Sequence, residues 1–214
     1  MSRKEDIKVA AIRMFNELGL NQVSLKTIAR EMGISDGNLR YHYKTKEDLI
    51  LAIFYDMCGG LDQLVLKQKI EDLGIDMILK GQKESFDIFY EFRFLMLNLS
   101  TIVRNPELKR IQEYLQETLT QRKKAYHVIF LYMVGKGNLI AEPEEGRYEK
   151  IIDQMFLVGD FWLSDAAIYH PNDLQGQIKH YLELLLLPLV PYFTDEGRRI
   201  YDEAWAELWQ EEVS

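Results

Sequence analysis

The sequence has few of the residues on which disulfide-bonded or membrane-spanning proteins depend. Its 214 residues include one cysteine, Cys58, so an internal disulfide is excluded. The densest apolar run, from Leu184 to Val190, is too short to cross a bilayer. The polar opening MSRKEDIK also lacks the apolar core of a signal peptide. We therefore expect a cytoplasmic protein that makes no contact with a membrane.

The signatures of common enzyme classes are missing as well. The sequence contains neither a phosphate-binding glycine loop nor the G-x-S-x-G motif of many hydrolases. Its four histidines do not have the spacing of metal ligands; they are His42, His127, His170 and His180. These absences predict a protein that is not an enzyme and that needs neither a metal nor another cofactor.

A strong excess of positive charge is missing too. The net charge is −8 and the pI is about 5.1, which argues against a protein that coats nucleic acid without regard to sequence. The charge is unevenly distributed, because residues 1–50 hold nine Lys and Arg against seven Asp and Glu. A small DNA-reading patch at the N-terminal end therefore remains possible.

Apolar residues recur at helical spacing along nearly the whole chain, and strand-like alternation is absent. Glycine and proline fall at the joints between segments. This pattern predicts an all-α protein. The expected helices are 4–18, 24–32, 35–43, 46–72, 75–98, 106–134, 146–169, 173–187 and a final one from Thr194.

The first segments have the pattern of a helix-turn-helix. Ser24 is placed to cap a short helix that ends at Gly33, and Ser35 begins another short helix after only three residues. Thr45 and Asp48 have the spacing of a capping box for the fourth, longer helix. Two short helices joined by a tight glycine turn are typical of proteins that read the DNA major groove.

The stretch VSLKTIAREMGISDGNLRYHYKTKEDLI, residues 23–50, closely resembles the helix-turn-helix of the TetR family of bacterial transcription regulators. With the first helix included, the resemblance covers about residues 4–55. It implies a three-helix DNA-binding domain at 1–48, joined through the start of a connecting helix, 46–72, to a larger domain at 49–214. In this family the larger domain binds a ligand and forms a homodimer.

The polar residues of the third helix are the expected DNA contacts. Its exposed N-terminal end is formed by Ser35, Asp36, Gly37 and Asn38, and an asparagine amide pairs well with adenine. Arg40 stands where the family often has tyrosine; it either reads a guanine or holds a phosphate. The resemblance places five further residues at or near the DNA backbone: Lys26, Thr27, Tyr41, His42 and Lys46.

Two late helices carry more apolar surface than one core contact requires. The helix at about 146–169 has a broad apolar stripe, and the helix at about 173–191 contains four consecutive leucines from position 184. Members of the TetR family pair through two long helices near the C-terminus. These two helices therefore form either the homodimer interface or an internal core pair.

Two arginines lie on apolar faces of central helices and need an acceptor or access to water. Arg93 shares a face with aromatic residues of its helix, and Arg122 does so in the next long helix. Either they pair with internal carboxylates, or they bind the anionic end of a ligand. The resemblance implies a small-molecule effector, and the predicted ligand contacts are Phe89, Tyr90, Arg93, Arg122, Tyr126 and Trp162.

The sequence thus predicts a DNA-binding regulator, most simply a repressor that leaves its palindromic, double-stranded operator when an effector binds. Two alternatives keep the same fold. In one, the protein acts mainly as a protein-binding adaptor through its acidic face and the helix of Trp205 and Trp209. In the other, it activates transcription rather than repressing it.

Overall fold

The computed structural model describes residues 2–66 and 73–210, and the all-helical fold expected from the sequence is confirmed. Short 3₁₀ turns at Leu20–Gln22, Pro106–Leu108 and Leu187–Tyr192 join some of the helices. The helices are α1 (Arg3–Leu18), α2 (Leu25–Glu31), α3 (Asp36–His42), α4 (Lys46–Leu66), α5 (Ile75–Glu91), α6 (Arg93–Leu97), α7 (Leu99–Ile102), α8 (Lys109–Gly135), α9 (Arg147–Tyr169), α10 (Ile178–Leu186) and α11 (Asp195–Gln210).

The chain divides into two compact units. The first comprises Met1–Leu61 and Ile88–Gln116, and the second comprises Asp62–Asp87 and Glu117–Ser214. Helices α4, α5 and α8 each contribute residues to both units. The first unit thus contains the predicted DNA-binding domain, 1–48, together with α6 and α7, while the functional boundary near residue 48 stays a prediction.

Capping side chains set the helix starts in the first unit, as the sequence predicts. Ser24 and Thr27 form a reciprocal capping box at α2. The Ser35 hydroxyl accepts a hydrogen bond from the Asn38 amide at α3, 3.1 Å away. Thr45 and Asp48 exchange two bonds of 3.0 Å at the start of α4. The predicted end of this helix, residues 67–72, lies outside the described residues.

One predicted helix, 75–98, is divided in the structure. Helix α5 ends at Glu91 and α6 begins at Arg93, because Phe92 has φ −97° and ψ 28° and departs from the helical path. The Asn16 side chain of α1 occupies the break: its amide donates to the Glu91 carbonyl at 2.7 Å, and its oxygen accepts from the Phe94 N–H at 3.0 Å. A long-range contact of this kind leaves no periodic signal in the sequence.

The second unit is built around an aromatic core. Trp162 of α9 stacks on Phe86 of α5 with ring centroids 4.9 Å apart. Phe130 of α8 meets Tyr148 of α9 edge to face at 5.4 Å. Helix α10 begins at Ile178 and not at the predicted Asp173, because the Asp173 carboxylate accepts from the Gly176 N–H and holds a turn before the helix.

The expected C-terminal helix, α11, is attached to the second unit by close backbone contacts. The Thr194 hydroxyl accepts from the Gly197 N–H at 3.0 Å and donates to the Gly137 carbonyl at 2.7 Å. Gly197 lies so near the Asn138 carbonyl that a Cβ there would overlap the oxygen. Only glycine therefore allows the first turn of α11 to approach this loop.

Candidate nucleic-acid interface

The turn between α2 and α3 has the geometry of a helix-turn-helix. Gly33 adopts φ 66°, a left-handed conformation that glycine adopts without steric cost. The Ile34 N–H bonds back to the Ala29 carbonyl at 3.0 Å and closes the turn. Leu39 of α3 is completely buried, as are Ile28 and Ala29 of α2. The second helix is thereby held rigidly against the first.

The opposite face of α3 lies open to solvent. The expectation that Leu39 and Tyr43 face the core is confirmed, and Tyr41 on the other side is 84% exposed. Gly37, Asn38 and Arg40 are also exposed, and a Cβ at Gly37 would meet nothing closer than the Ser35 hydroxyl at 4.0 Å. This face carries the polar side chains and the open backbone with which a recognition helix reads base edges.

Arg40 is held at two points within this face. Its Nε donates to Asp36 Oδ2 at 2.8 Å, and its Nη1 donates to the Lys44 carbonyl at 3.0 Å. The other carboxylate oxygen, Asp36 Oδ1, is buried without a hydrogen-bond partner among the described residues. The predicted contacts Asp36 and Arg40 are therefore one linked pair, and the sequence reasoning treated them as separate.

Several predicted DNA contacts have a second role inside the protein. The hydroxyls of Ser35 and Thr27 cap α3 and α2, and the His42 ring lies edge to face with Tyr41 at 5.2 Å. Lys26 is exposed. Since the structure holds no DNA, the assignment of these residues to the DNA interface stays a prediction.

Lys46 points inward more than the family resemblance suggests. Its ammonium donates to the Leu20 carbonyl and lies 5.5 Å from the centre of the Phe15 ring. Burial lowers the pKa of the Lys46 ammonium, and the nearby Glu47 carboxylate acts in the opposite direction. A lysine at the start of α4 thus joins this helix to the turn after α1, whether or not it also reaches a phosphate.

Two residues of α1 that the sequence reasoning overlooked fix this helix within the first unit. The Lys8 ammonium is only 10% exposed and forms ion pairs with Asp56 of α4 at 2.5 Å and with Glu5 at 2.9 Å. Asn16 joins α1 to the α5–α6 break described above. Lys8 could have been noticed as a charge beside the apolar stripe of α1, whereas nothing local distinguishes Asn16.

The predicted effector contacts fall into both compact units. In the first unit, Phe89, Tyr90 and Arg93 are half-buried. The Arg93 guanidinium lies 4.8 Å from the centre of the Tyr90 ring and donates to the Tyr90 carbonyl at 3.2 Å. This arginine already has an acceptor and an aromatic partner in its own unit, and its role in effector binding stays a prediction.

In the second unit, Arg122 lies 4.0 Å from the Asp62 carboxylate. Tyr126 accepts a hydrogen bond from Gln82, and burial raises the pKa of its phenol. The indole nitrogen of Trp162, in contrast, is buried and has no hydrogen-bond partner within the described part of the chain. A buried donor without an acceptor is costly, so Trp162 is the predicted contact that most needs a ligand.

A small apolar pocket lies elsewhere in the second unit, between α5, α8, α10 and α11. It is lined by Ile75, Ile78, Met133, Leu186, Leu189, Phe193 and Tyr201. With Tyr201 supplying the one hydroxyl, this pocket can accommodate hydrocarbon but cannot bind a charge.

The outer faces of α9 and α10 expose large apolar side chains. On α9, Leu157 is 62% exposed and Ile168 is 70% exposed, and Phe161 lies between them. Leu184 and Leu187 are exposed on α10. Exposed apolar residues in a continuous row usually mark a surface that another protein covers.

Metal and membrane sites were also considered. Within residues 2–66 and 73–210, no three His, Cys, Asp or Glu side chains are grouped closely enough to hold a metal ion. None of the helices in the described ranges is both long and apolar enough to cross a membrane.

Comparison with known proteins gives matches along most of the chain. The family described as "Bacterial regulatory proteins, tetR family" matches residues 7–53, and the TetR family described as "Bacterial transcriptional repressor" matches residues 60–201. The chain is 29% identical over 142 residues to the uncharacterized HTH-type transcriptional regulator YerO of Bacillus subtilis (strain 168). This alignment covers 63% of the chain and 48% of the relative, so it spans about half of that relative's length.

A second relative is the fatty acid metabolism regulator protein of Bacillus subtilis (strain 168), 27% identical over 151 residues. The alignment covers 68% of this chain and 73% of the relative. The crystal structure of a TetR-family transcriptional regulator from Marinobacter aquaeolei VT8 has the same fold, with a TM-score of 0.82 at 24% identity, covering 95% of this chain and 98% of that one. Because the family match at 60–201 alone exceeds half of the sequence, the chain belongs to the TetR family of bacterial transcription regulators.

Proposed function

We propose that the protein is a ligand-released repressor that binds a palindromic operator as a homodimer. The observation that carries this proposal is the exposed apolar row on α9 and α10, which includes Leu157, Phe161 and Leu187. Side chains of this size are stabilised by about 1.5–3 kcal/mol each when they are fully removed from water. A second copy of the chain that covers the same helices would supply that burial and form a symmetric interface.

The size of the reading head supports the same arrangement. Helix α3 has seven residues, so one head contacts only a few base pairs. Useful specificity then requires two heads bound to two half-sites, and a two-fold dimer matches a palindrome. The acidic remainder of the protein does not add a second nucleic-acid surface that could replace the partner's head.

Sedimentation velocity with and without a selected operator tests the proposal. We expect a dimer for the wild type, a monomer with weakened operator binding for Phe161→Glu, and a dimer for the control Val128→Glu, since Val128 is exposed on the outer face of α8. A wild-type monomer at micromolar concentration in the presence of the operator would refute the dimer. Failure of the wild type to select any DNA sequence would refute the regulator.

We further propose that the effector binds in the second unit and has a largely apolar body with a hydrogen-bond acceptor. The unpartnered indole N–H of Trp162 supplies the donor, and Arg122 and Tyr126 are the other contacts predicted there. The apolar pocket beside Ile75 and Met133 supports an apolar ligand. One relative is named for fatty acid metabolism, which makes long-chain fatty acids and their thioesters the first compounds to test.

The effector proposal is tested with Trp162→Phe, which keeps an aromatic ring beside Phe86 and removes the indole donor. The variant should bind the operator as the wild type does but should no longer be released by the effector, because release requires a ligand that binds one state better than the other. Operator binding in the presence of palmitate or an acyl thioester is the measurement. Equal release of both proteins would exclude Trp162 as the donor.

A further inference from the structure

The exposed polar residues of α3 are not equally able to meet DNA. Arg40 is half-exposed, but two of its five N–H groups are already engaged, one on Nε by Asp36 and one on Nη1 by the Lys44 carbonyl. Both N–H groups of Nη2 and one of Nη1 have no hydrogen-bond partner within the described residues. The guanidinium is thus held by two bonds while its outer donors face solvent.

Asp36 has no acceptor to offer to DNA in this arrangement. Its Oδ2 is bonded to Arg40, and its Oδ1 is buried against the protein. A carboxylate can read cytosine by accepting from the exocyclic amine, but that requires an oxygen that points outward. An unpaired carboxylate would also be repelled by the phosphates, and the ion pair with Arg40 removes that repulsion.

We propose that Asp36 is a positioning residue that holds the Arg40 guanidinium so that its outer N–H groups read one guanine in each operator half-site. Guanine is the base whose major-groove edge offers two neighbouring acceptors, O6 and N7, and arginine is its most common protein partner. Two bonds that hold the side chain in the unbound protein remove rotamer freedom before DNA arrives. The inference rests on the proposed operator binding and adds the base and the residue that orients its reader.

The Asp36 carboxylate affects DNA binding in two opposite ways, which gives a distinctive prediction. Without it, Arg40 samples other rotamers and the preference for guanine falls. The same change removes one negative charge from the DNA-facing surface, so affinity for unrelated sequences rises. Damage to the fold of α3 would weaken binding to every sequence and would not produce this opposite pair of effects.

The test begins with the wild type and a pool of randomised duplexes, from which the preferred half-site is determined. Arg40→Ala then identifies the base pair at which the preference for guanine disappears. Asp36→Asn and Asp36→Ala should lower discrimination at that same base pair by roughly 5- to 150-fold and should leave the other positions unchanged. Asp36→Ala should also bind non-operator DNA more tightly than the wild type does.

The chain offers a matched control in the pair Arg13–Glu31, another arginine and carboxylate of the first unit, 2.7 Å apart and similarly exposed. Glu31→Gln changes the charge by the same amount and should leave the guanine preference at the wild-type level. The inference is overturned if both Asp36 variants keep the full preference, or if they lower the unfolding midpoint and weaken all sequences equally. If the wild type itself selects no sequence, the proposed function fails first, and the inference fails with it.

Discussion

Replacing Lys46 by methionine separates the two roles that this residue combines. The stem of Lys46 is kept, so the change removes only the ammonium, its bond to the Leu20 carbonyl and its approach to the Phe15 ring. A hydrogen bond from a charged donor contributes about 1.5–3 kcal/mol, and a cation–π contact contributes about 0.5–1 kcal/mol at a partly exposed site. Burial of the ammonium, which lowers its pKa, offsets part of this gain.

The net effect of Lys46→Met is a loss of about 1–2 kcal/mol in the free energy of unfolding. For a chain of this length that loss lowers the melting temperature by roughly 2–8 °C. If Lys46 also holds a phosphate, the slope of log affinity against log salt becomes shallower by about 0.9 for each site per subunit. Calorimetry measures the first effect, and titration of the operator at several salt concentrations measures the second.

Lys26→Met is the matched control, because Lys26 is exposed at the start of α2 and is also a predicted phosphate contact. We expect its salt slope to fall by the same amount and its stability to change by less than about 0.5 kcal/mol. Equal melting temperatures for Lys46→Met and the wild type would refute the structural role. An unchanged salt slope for Lys46→Met would refute the phosphate contact.

Two further predictions concern the second unit. Burial raises the pKa of the Asp160 carboxyl to about 6 against the opposing charges of Arg122 and Lys123, so this group favours folding below pH 3.8 and loses that contribution as pH rises through 6. Asp160→Asn should therefore raise the unfolding free energy at pH 7 by up to about 3 kcal/mol and flatten its pH profile, and an unchanged profile in denaturant titrations would contradict this. Gly197→Ala should cost about 1–3 kcal/mol, since its Cβ overlaps the Asn138 carbonyl; a wild-type melting temperature would show that this loop yields easily.

Much of the reading head could be predicted because its determinants lie close together in the sequence. The caps at Ser24, Ser35 and Thr45 each act on a backbone or side-chain group three residues away. The burial of Leu39 and Tyr43 follows from helical periodicity alone. Such signals depend on local geometry, which is the same in any fold that contains the segment.

The functional pairs behaved differently, because one partner of each is invisible to local reasoning. Arg93 and Arg122 were recognised as charges on apolar faces, but only the structure assigns them the Tyr90 ring and the Asp62 carboxylate. The same is true of Trp162, whose unpartnered nitrogen depends on what α5 and α10 do not offer it. A periodic pattern predicts that a side chain faces inward and leaves its partner undetermined.

The sequence by itself determined the helical class, the starts of α2, α3 and α4, and the surface of α3 that faces away from the core. These features follow from capping, glycine conformation and a period of 3.6 residues. Tertiary structure alone decided the break at Phe92, the inward turn of Lys46 and the linked pair of Asp36 with Arg40 and Lys44. The physical reason is that the first two join groups 26 to 78 residues apart, and the third depends on which of several exposed rotamers a helix end stabilises.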